Sequence, residues 1–200
     1  MTAARPSPAG RSVDRSDDAT VPRPRVRVVG RVASRYELDD VALVGLADDR
    51  RECRYLCASG RRWGGRWRGV PLSSVVERAR VAADATHVVA RGRGGHAACL
   101  PLVDALDGLL AVARDGAPLA PTRCPRLVVP GVDAARTVKG VRELDVRRLA
   151  PGDDPTDYER LGYGETDEQS RRVDADEERF PDAENGRARS SRRPSNGETR

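Results

Sequence analysis

Almost all of the apolar sequence of this 200-residue chain lies between residues 25 and 150, and both ends are rich in charged, Pro and Ser residues. Residues 1–24 contain no apolar run, and residues 151–200 contain only scattered large apolar side chains. Such segments cannot bury enough apolar surface to offset the conformational entropy of ordering the chain. The sequence therefore predicts one folded domain at residues 25–150, between a disordered N-terminal arm and a disordered C-terminal tail.

Charge is divided unevenly between these regions. Residues 25–150 contain 23 Arg and Lys against 14 Asp and Glu, a net charge of +9, whereas residues 151–200 contain 9 Arg against 14 acidic residues, a net charge of −5. A basic domain suits an anionic ligand or nucleic acid. Aromatic residues, which stack on nucleic-acid bases, are only 4% of the chain, so we expect no nucleic-acid partner.

No segment of the sequence is typical of a membrane or exported protein. The chain has no apolar run of 18 residues, and its first residues lack the apolar core of a secretory signal. The four cysteines, at positions 53, 57, 99 and 124, are then expected to be free thiols. We therefore expect a cytoplasmic protein without a membrane span.

Short runs with strand or helix periodicity follow one another irregularly along the domain. Strands are predicted at residues 25–32, 52–57, 86–90, 96–100, 126–129 and 137–146. Helices are predicted at 39–46 with Asp39 as N-cap, after Pro71 as far as residue 79, and from Pro101 to Leu110. Because strands and helices do not alternate regularly, the pattern favours an α+β fold over a doubly wound sheet.

Residues 56–70, with the sequence LCASGRRWGGRWRGV, combine features of a binding loop. Cys57 lies near the start, glycines follow, and four arginines include Arg61 and Arg62. Glycine lets the backbone approach a ligand closely, a thiolate ligates soft metals, and arginine binds anions. We expect a Gly-rich loop that offers a metal ligand and positive charge together.

Cys57 has two other interpretations. One is a buried structural cysteine, which is where unpaired cysteines usually lie. The other is a zinc ligand, because Cys53 and Cys57 form a C-x3-C pair, but the positions of Cys99 and Cys124 lack the spacing of a zinc site.

Five motifs resemble, in the same order, those of the sulfite-oxidase-like molybdopterin-binding oxidoreductases. They are CASGRRW with WRGVPL around Cys57, GHAACLPL at 95–102, ARDGAPL ending at 119, RLVVPG at 126–131 and RTVK at 136–139. The resemblance covers about residues 26–148. It implies the mixed-sheet fold of the sulfite oxidase catalytic domain, in a minimal form without the dimerisation domain.

The resemblance also implies a molybdenum-molybdopterin cofactor. Cys57 would be the thiolate ligand of molybdenum, and Arg61 and Arg62 would line the anion pocket where the reaction occurs. The residues implied to bind the cofactor are Cys57, His96, Arg126, Arg136, Thr137, Val138 and Lys139. The implied reaction is oxo transfer to or from a small oxyanion or oxo-compound. A separate electron-transfer partner is implied because the chain contains neither a C-x-x-C-H haem motif nor a flavin fingerprint.

Several family residues are replaced in this chain. Gly140 follows the motif lysine where the family often has Trp, Gly94-Gly95-His96 takes the place of Asp-Gly-Tyr, and residues 121–125, directly before Arg126, lack the histidine found there in sulfite oxidases. These differences leave an alternative function open. The chain would then be a non-enzymatic member of the same fold that binds a pterin-like or other anionic ligand.

Overall fold

A computed structural model describes residues 23–57, 60 and 62–161. Arg61, residues 1–22 of the predicted arm and the tail beyond Leu161 lie outside the described residues. The described strands are β1 (Val26–Gly30), β2 (Tyr36–Leu38), β3 (Asp49–Leu56), β4 (Arg62–Pro71), β5 (His87–Gly92), β6 (Ala97–Pro101), β7 (Leu109–Arg114), β8 (Ala117–Pro118), β9 (Arg126–Val128) and β10 (Val141–Arg147). The α-helices are α1 (Asp40–Gly45), α2 (Leu72–Ala79) and α3 (Leu102–Ala105), and 3₁₀ turns occur at Arg93–Gly95, Ala134–Arg136 and Pro155–Tyr158. None of the helices in this part of the chain is long and apolar enough to cross a membrane.

The strands form two five-stranded sheets. The first has the order β2-β1-β10-β5-β6 and is mixed, because β1 and β10 are parallel while the other neighbours are antiparallel. The second has the order β3-β4-β7-β8, with β9 also paired to β7, and is antiparallel throughout. Two sheets with short helices confirm the predicted α+β class with a mixed sheet.

The two sheets share one apolar core. Val28 from β1, Leu144 from β10 and Leu110 from β7 belong to a single cluster of buried side chains. Helix α2 adds Leu72 and Val75 to this cluster. Full burial of each such side chain contributes about 1.5–3 kcal/mol, so the shared core fixes the position of one sheet relative to the other.

The Gly/Trp segment predicted as a loop is instead strand β4, and that prediction was wrong. Trp63 and Trp67 are buried on one face, whereas Arg62 and Arg66 are exposed on the other, which is the period of a strand. The glycines serve close packing: a Cβ at Gly64, where φ is +149°, would lie 2.1 Å from the carbonyl oxygen of Cys53 on β3. Gly-rich sequence here marks the approach of two strands.

The helix predicted from Pro101 to Leu110 is also wrong over its second half. Helix α3 ends at Ala105, and Leu109 and Leu110 begin strand β7, which is buried on both faces. A continuous apolar run fits either a buried strand or a buried helix, because its periodicity does not distinguish the two. Gly108 lies between helix α3 and strand β7. A Cβ at this position would lie 2.7 Å from the side chain of Val129, so the close packing here requires glycine.

The packed domain extends beyond the predicted boundary at residue 150. Arg160 pairs with Ala97 through two backbone hydrogen bonds of 2.8 and 3.1 Å. Tyr158 packs beside β6, with the Arg147 guanidinium carbon 4.8 Å from its ring centroid. Residues 151–161 therefore cover the outer edge of β6, which would otherwise present unpaired backbone groups.

Candidate functional site

Cys57 lies directly after β3, where the chain leaves the second sheet. Its free thiol is half-buried and packs against a cluster that contains Tyr55, Trp63 and Trp67. The amide of Gly60 donates a 2.8 Å hydrogen bond to the Cys57 carbonyl, which closes a tight turn after the strand. Cys57 is thus at the rim of an aromatic cluster, where the thiol can reach a ligand.

Arg126 is the buried cation of this region, with an exposed fraction of only 6%. Its guanidinium carbon lies 4.1 Å from the ring centroid of Trp63 and 5.6 Å from that of Trp67. Its Nη2 donates to the hydroxyl of Thr137 at 3.0 Å. A desolvated cation–π contact is worth about 2 kcal/mol or more, so the tryptophans hold this positive charge below the surface, over the aromatic cluster against which Cys57 packs.

The 3₁₀ turn Ala134–Arg136 connects these residues to His96. The Thr137 hydroxyl donates to the carbonyl of Ala134 at 2.8 Å while it accepts from Arg126. Nε2 of His96 lies 2.9 Å from the carbonyl of Ala135 and must carry the proton, because a carbonyl only accepts. The structure therefore brings together His96, Arg126 and Thr137 around one turn.

Burial lowers the pKa of His96, and the positive charges of Lys139 and Arg126 lower it further. The Ala135 carbonyl and Glu159 act in the opposite direction but do not outweigh burial. The imidazole is therefore neutral at pH 7, with its proton on Nε2 and an acceptor lone pair on Nδ1.

We expect His96 to weaken the folded state at acidic pH. Its pKa is lower in the folded chain than in the unfolded one, so the unfolded chain binds the proton more readily. The contribution of neutral His96 to the free energy of unfolding is fully present above the pKa of the unfolded chain, about 6.5. It is lost as the pH falls through the pKa of the folded chain. The free energy of unfolding from urea titrations between pH 5 and 7 measures this slope. A His96→Asn variant keeps an N–H donor for Ala135 without titrating and should give a flatter slope; identical slopes would contradict the prediction.

Val138 and Lys139 follow Thr137 and face different surroundings. The side chain of Val138 is fully buried in the core and its carbonyl accepts from the Leu127 amide at 2.8 Å, so the side chain is not available to a ligand. Lys139 is half-buried, and its charge acts on His96. Lys139 and Arg126 are thus two cations that act on His96.

Gly140 stands where the related family often has Trp, and the structure gives a reason. Its φ is +57°, and a Cβ at this position would lie 2.6 Å from the carbonyl oxygen of Thr122 and 3.2 Å from Cδ of Arg93. A larger residue could be placed here only if the backbone around Thr122 moved. Arg93 instead occupies the space beside Gly140.

Arg136 is held by carboxylates. Its Nε and Nη2 donate to the two carboxylate oxygens of Glu159 at 2.8 and 3.2 Å, and its Nη1 donates to Asp133 at 3.1 Å. The Glu159 side chain is 6% exposed. Bidentate pairs of this kind are strong and directional, so Arg136 braces the 3₁₀ turn against residues 151–161. A direct contact between Arg136 and a cofactor stays a prediction.

The two arginines expected beside Cys57 are only partly described. Arg62 is the first residue of β4, is exposed and lies opposite Leu56 in the β3–β4 register. Its side chain therefore leaves the sheet on the face opposite to Trp63, whereas Cys57 contacts the cluster on the Trp63 face. Arg61 lies outside the described residues.

Sequence reasoning missed three participants in the site. Tyr55 and Trp63 stack with ring centroids 4.7 Å apart, and the Tyr55 hydroxyl donates to the carbonyl of Val129 at 3.0 Å. The alternation Trp63-Gly-Gly-Arg-Trp67 could have indicated that both tryptophans share one face of a strand. Glu159 carried no signal, because it lies in a segment with a tail-like composition.

A metal at Cys57 would need ligands from a cofactor. Among residues 23–57, 60 and 62–161, no group of three or more His, Cys, Asp and Glu side chains could hold a metal ion. Cys53 is buried, and that burial raises the pKa of its thiol. One half-buried soft thiol, against an aromatic cluster that holds the cation Arg126, fits a metal that arrives on an anionic, multidentate cofactor.

Comparisons with known proteins agree with the resemblance seen in the sequence. The family model described as oxidoreductase molybdopterin binding domain matches residues 18–152. Curated protein sequences give no significant match. The sulfane dehydrogenase SoxCD from Paracoccus pantotrophus matches in structure with a TM-score of 0.59 and 23% identity, over 65% of this chain and 39% of that chain. This likeness shows the fold, and the chain spans well under half of the SoxCD chain. Because the family model covers more than half of the sequence, the chain belongs to the oxidoreductase molybdopterin-binding domain family.

Proposed function

We propose that this domain binds molybdenum-molybdopterin through the Cys57 thiolate and transfers an oxo group to or from a small oxyanion or oxo-compound. Membership in the family makes the chain a molybdopterin-binding oxidoreductase domain; the substrate class and the ligation by Cys57 are our proposal. The observation that carries it is the half-buried free thiol of Cys57 beside the aromatic cluster on which Arg126 stacks.

The bound cofactor would supply a metal centre that exchanges an oxo group together with two electrons. Cys57 would hold the metal through Sγ, since a soft thiolate suits a soft redox metal. Tyr55 and Trp63 pack against one side of this thiol and exclude water there. In such a water-poor place the charge of Arg126 acts strongly on an anion, because the effective dielectric constant is low.

The other residues of the site would position the cofactor or the substrate. Lys139 and Arg126 supply positive charge for the anionic part of the ligand. Neutral His96, fixed by its bond to Ala135, presents Nδ1 as an acceptor. Thr137 holds the Arg126 guanidinium in place. Electrons would pass to a separate protein partner, because the sequence contains neither a C-x-x-C-H haem motif nor a flavin fingerprint.

Metal and pterin analysis of the purified full chain tests this proposal. Protein from a molybdate-replete host is expected to contain molybdenum and pterin in amounts equimolar with the chain, measured by elemental mass spectrometry and by fluorescence of the oxidised pterin. Molybdenum at background level would contradict the proposed chemistry.

A second candidate is a binding protein without enzymatic activity. It is favoured by the ion pairs of Arg136 with Glu159 and Asp133. These carboxylates neutralise the charge of an arginine that the family resemblance assigns to cofactor binding. Pterin bound without molybdenum, and without turnover with any electron acceptor, would support this candidate over the enzyme.

A further inference from the structure

The outward face of strands β3 and β4 carries a row of arginines. Residues directly opposite one another on antiparallel strands share a face, and the register pairs Arg50 with Arg68, Glu52 with Arg66, Arg54 with Gly64 and Leu56 with Arg62. The other face of the same strands is the buried aromatic cluster. We call the outward surface the arginine face; it consists of Arg50, Arg54, Arg62, Arg66, Arg68, Glu52 and Leu56.

Most of this positive charge is open to solvent, and the nearby carboxylates of Asp115 and Asp49 accept from the backbone amides of Arg66 and Arg50 at 2.8 and 2.7 Å. Arg54 pairs with Glu52 at 2.6 Å, and Nη1 of half-buried Arg68 donates to the Ala47 carbonyl at 3.0 Å. Within the described part of the chain, no ion pair joins the exposed Arg50, Arg62 or Arg66 to a carboxylate. The face therefore carries an excess of positive charge, with five arginines against Glu52.

Part of this arrangement is unfavourable for the sheet. Arg50 lies directly opposite Arg68, and like charges in this position destabilise a strand pair. Glu52 offsets one arginine of the five. A surface with an excess of positive charge that includes an unfavourable pair of like charges suits recognition of an acidic partner.

The arginine face ends at the residue before Cys57, whose thiol packs on the opposite face of the sheet. Leu56 is the last residue of β3, is 59% exposed, and immediately precedes Cys57. An apolar side chain among charged neighbours has the composition of a small docking interface, in which an apolar centre is surrounded by a polar rim. A partner on this face would therefore lie over the strand end that leads into Cys57, on the other side of the sheet from its thiol.

We propose that the arginine face is the docking surface for an acidic electron-transfer protein. Complementary charge steers such a partner and sets its orientation, and the interfaces of transient redox complexes are small. One exposed leucine among several arginines fits a transient redox complex. A permanent interface would need a larger apolar area. This inference rests on the proposed function, because only a redox centre at Cys57 needs an electron carrier.

Binding of an acidic plant-type ferredoxin tests the surface. We expect the fluorescently labelled ferredoxin to bind the full chain at about 20 mM salt and to bind at least about tenfold more weakly at about 200 mM, because screening shortens the range of the charges. Arg62→Glu and Arg66→Glu should each raise the Kd at low salt about fivefold, and together about twentyfold. Fluorescence anisotropy measures each Kd.

Arg35→Glu is the matched control, because it makes the same charge change at an exposed position in the segment between β1 and β2. We expect it to change the Kd by less than about twofold. A basic c-type cytochrome should not bind. The proposal is overturned if Arg35→Glu weakens binding as much as Arg62→Glu does, or if the Kd does not depend on salt.

Two other occupants would give distinct results. Residues 165–184 contain nine acidic residues and three arginines, and a synthetic peptide of this sequence that displaced ferredoxin at equal concentration would assign the face to the chain itself. Duplex DNA that bound more tightly than ferredoxin, and was weakened by Arg62→Glu, would assign it to nucleic acid. Either result overturns the proposal.

Molybdenum content of the same preparation separates the two proposals. Ferredoxin binding that is sensitive to Arg62→Glu, in protein without molybdenum, would support the docking surface and contradict the proposed redox function. Molybdenum-loaded protein without ferredoxin binding would contradict the docking surface alone.

Discussion

Replacement of Cys57 by serine is expected to lower the oxidoreductase activity of the full chain about a thousandfold, which corresponds to roughly 4 kcal/mol of barrier. The serine hydroxyl has nearly the shape of the thiol but is a hard ligand that does not ionise near neutral pH, so it is a poor substitute for a thiolate on a soft metal. Because Cys57 is half-buried at a strand end, the fold should persist. Sulfite oxidation and S-oxide reduction with artificial electron partners measure the activity.

Cys124→Ser is the matched control for this substitution. Cys124 is also a free, half-buried cysteine, and burial raises the pKa of its thiol, so it is a poor source of thiolate. Its replacement should leave activity within about twofold of that of the original chain. Molybdenum and pterin content are measured on both variants. Full activity in Cys57→Ser protein would remove the thiolate from the proposed mechanism.

Local sequence signals predicted those elements that local forces determine. Val26 and Val28 alternate with exposed residues in β1, and Asp39 accepts from the Ala42 amide at 2.8 Å as the N-cap of α1. Pro71 precedes α2, as expected for a proline at a helix start. These features depend on neighbours within a few residues, so the sequence alone specifies them.

Non-local packing accounts for the elements that sequence reasoning missed. Gly64 is a strand residue because β3 approaches it closely, and Cys53 on that strand is eleven positions away. Leu109 and Leu110 form a strand because partners on both sides, in β4 and β9, supply hydrogen bonds. Glycine content and apolar periodicity carry no information about such partners.

The candidate site shows the same division. The structure brings His96, Arg126 and Thr137 to one turn, and the family resemblance had assigned all three to the cofactor, a role that stays a prediction. It did not reveal that Arg136 is bound by Glu159, because that ion pair joins the domain to a segment with a tail-like composition, 23 residues further along the chain. The residue types in the sequence therefore predict which chemical groups the site contains. Which of its cations a ligand can reach depends on ion pairs, such as Arg136 with Glu159, that form only in the fold.

Replacement of Arg126 by alanine is expected to lower the free energy of unfolding by about 3 kcal/mol. Burial of a charge is costly, but here the cation gains contacts with two tryptophan rings, each worth about 1–2 kcal/mol, and a charge-assisted hydrogen bond worth about 1.5–3 kcal/mol. We expect these gains to exceed the cost of removing the guanidinium from water. The alanine variant would also contain a cavity where the arginine side chain was, which destabilises it further. Urea unfolding followed by fluorescence measures the loss, because Trp63 and Trp67 are the only tryptophans.

Arg126→Lys separates the charge of this side chain from its shape. Lysine keeps the positive charge but lacks the planar group that stacks on Trp63, so we expect a smaller loss of about 1–2 kcal/mol. Arg35→Ala, at an exposed position, should cause no measurable change. If the alanine variant were as stable as the original chain, the tryptophan contacts would not offset the burial of the charge. Arg126 would then be retained for ligand binding at the expense of stability, as expected of a cation that faces an anionic cofactor.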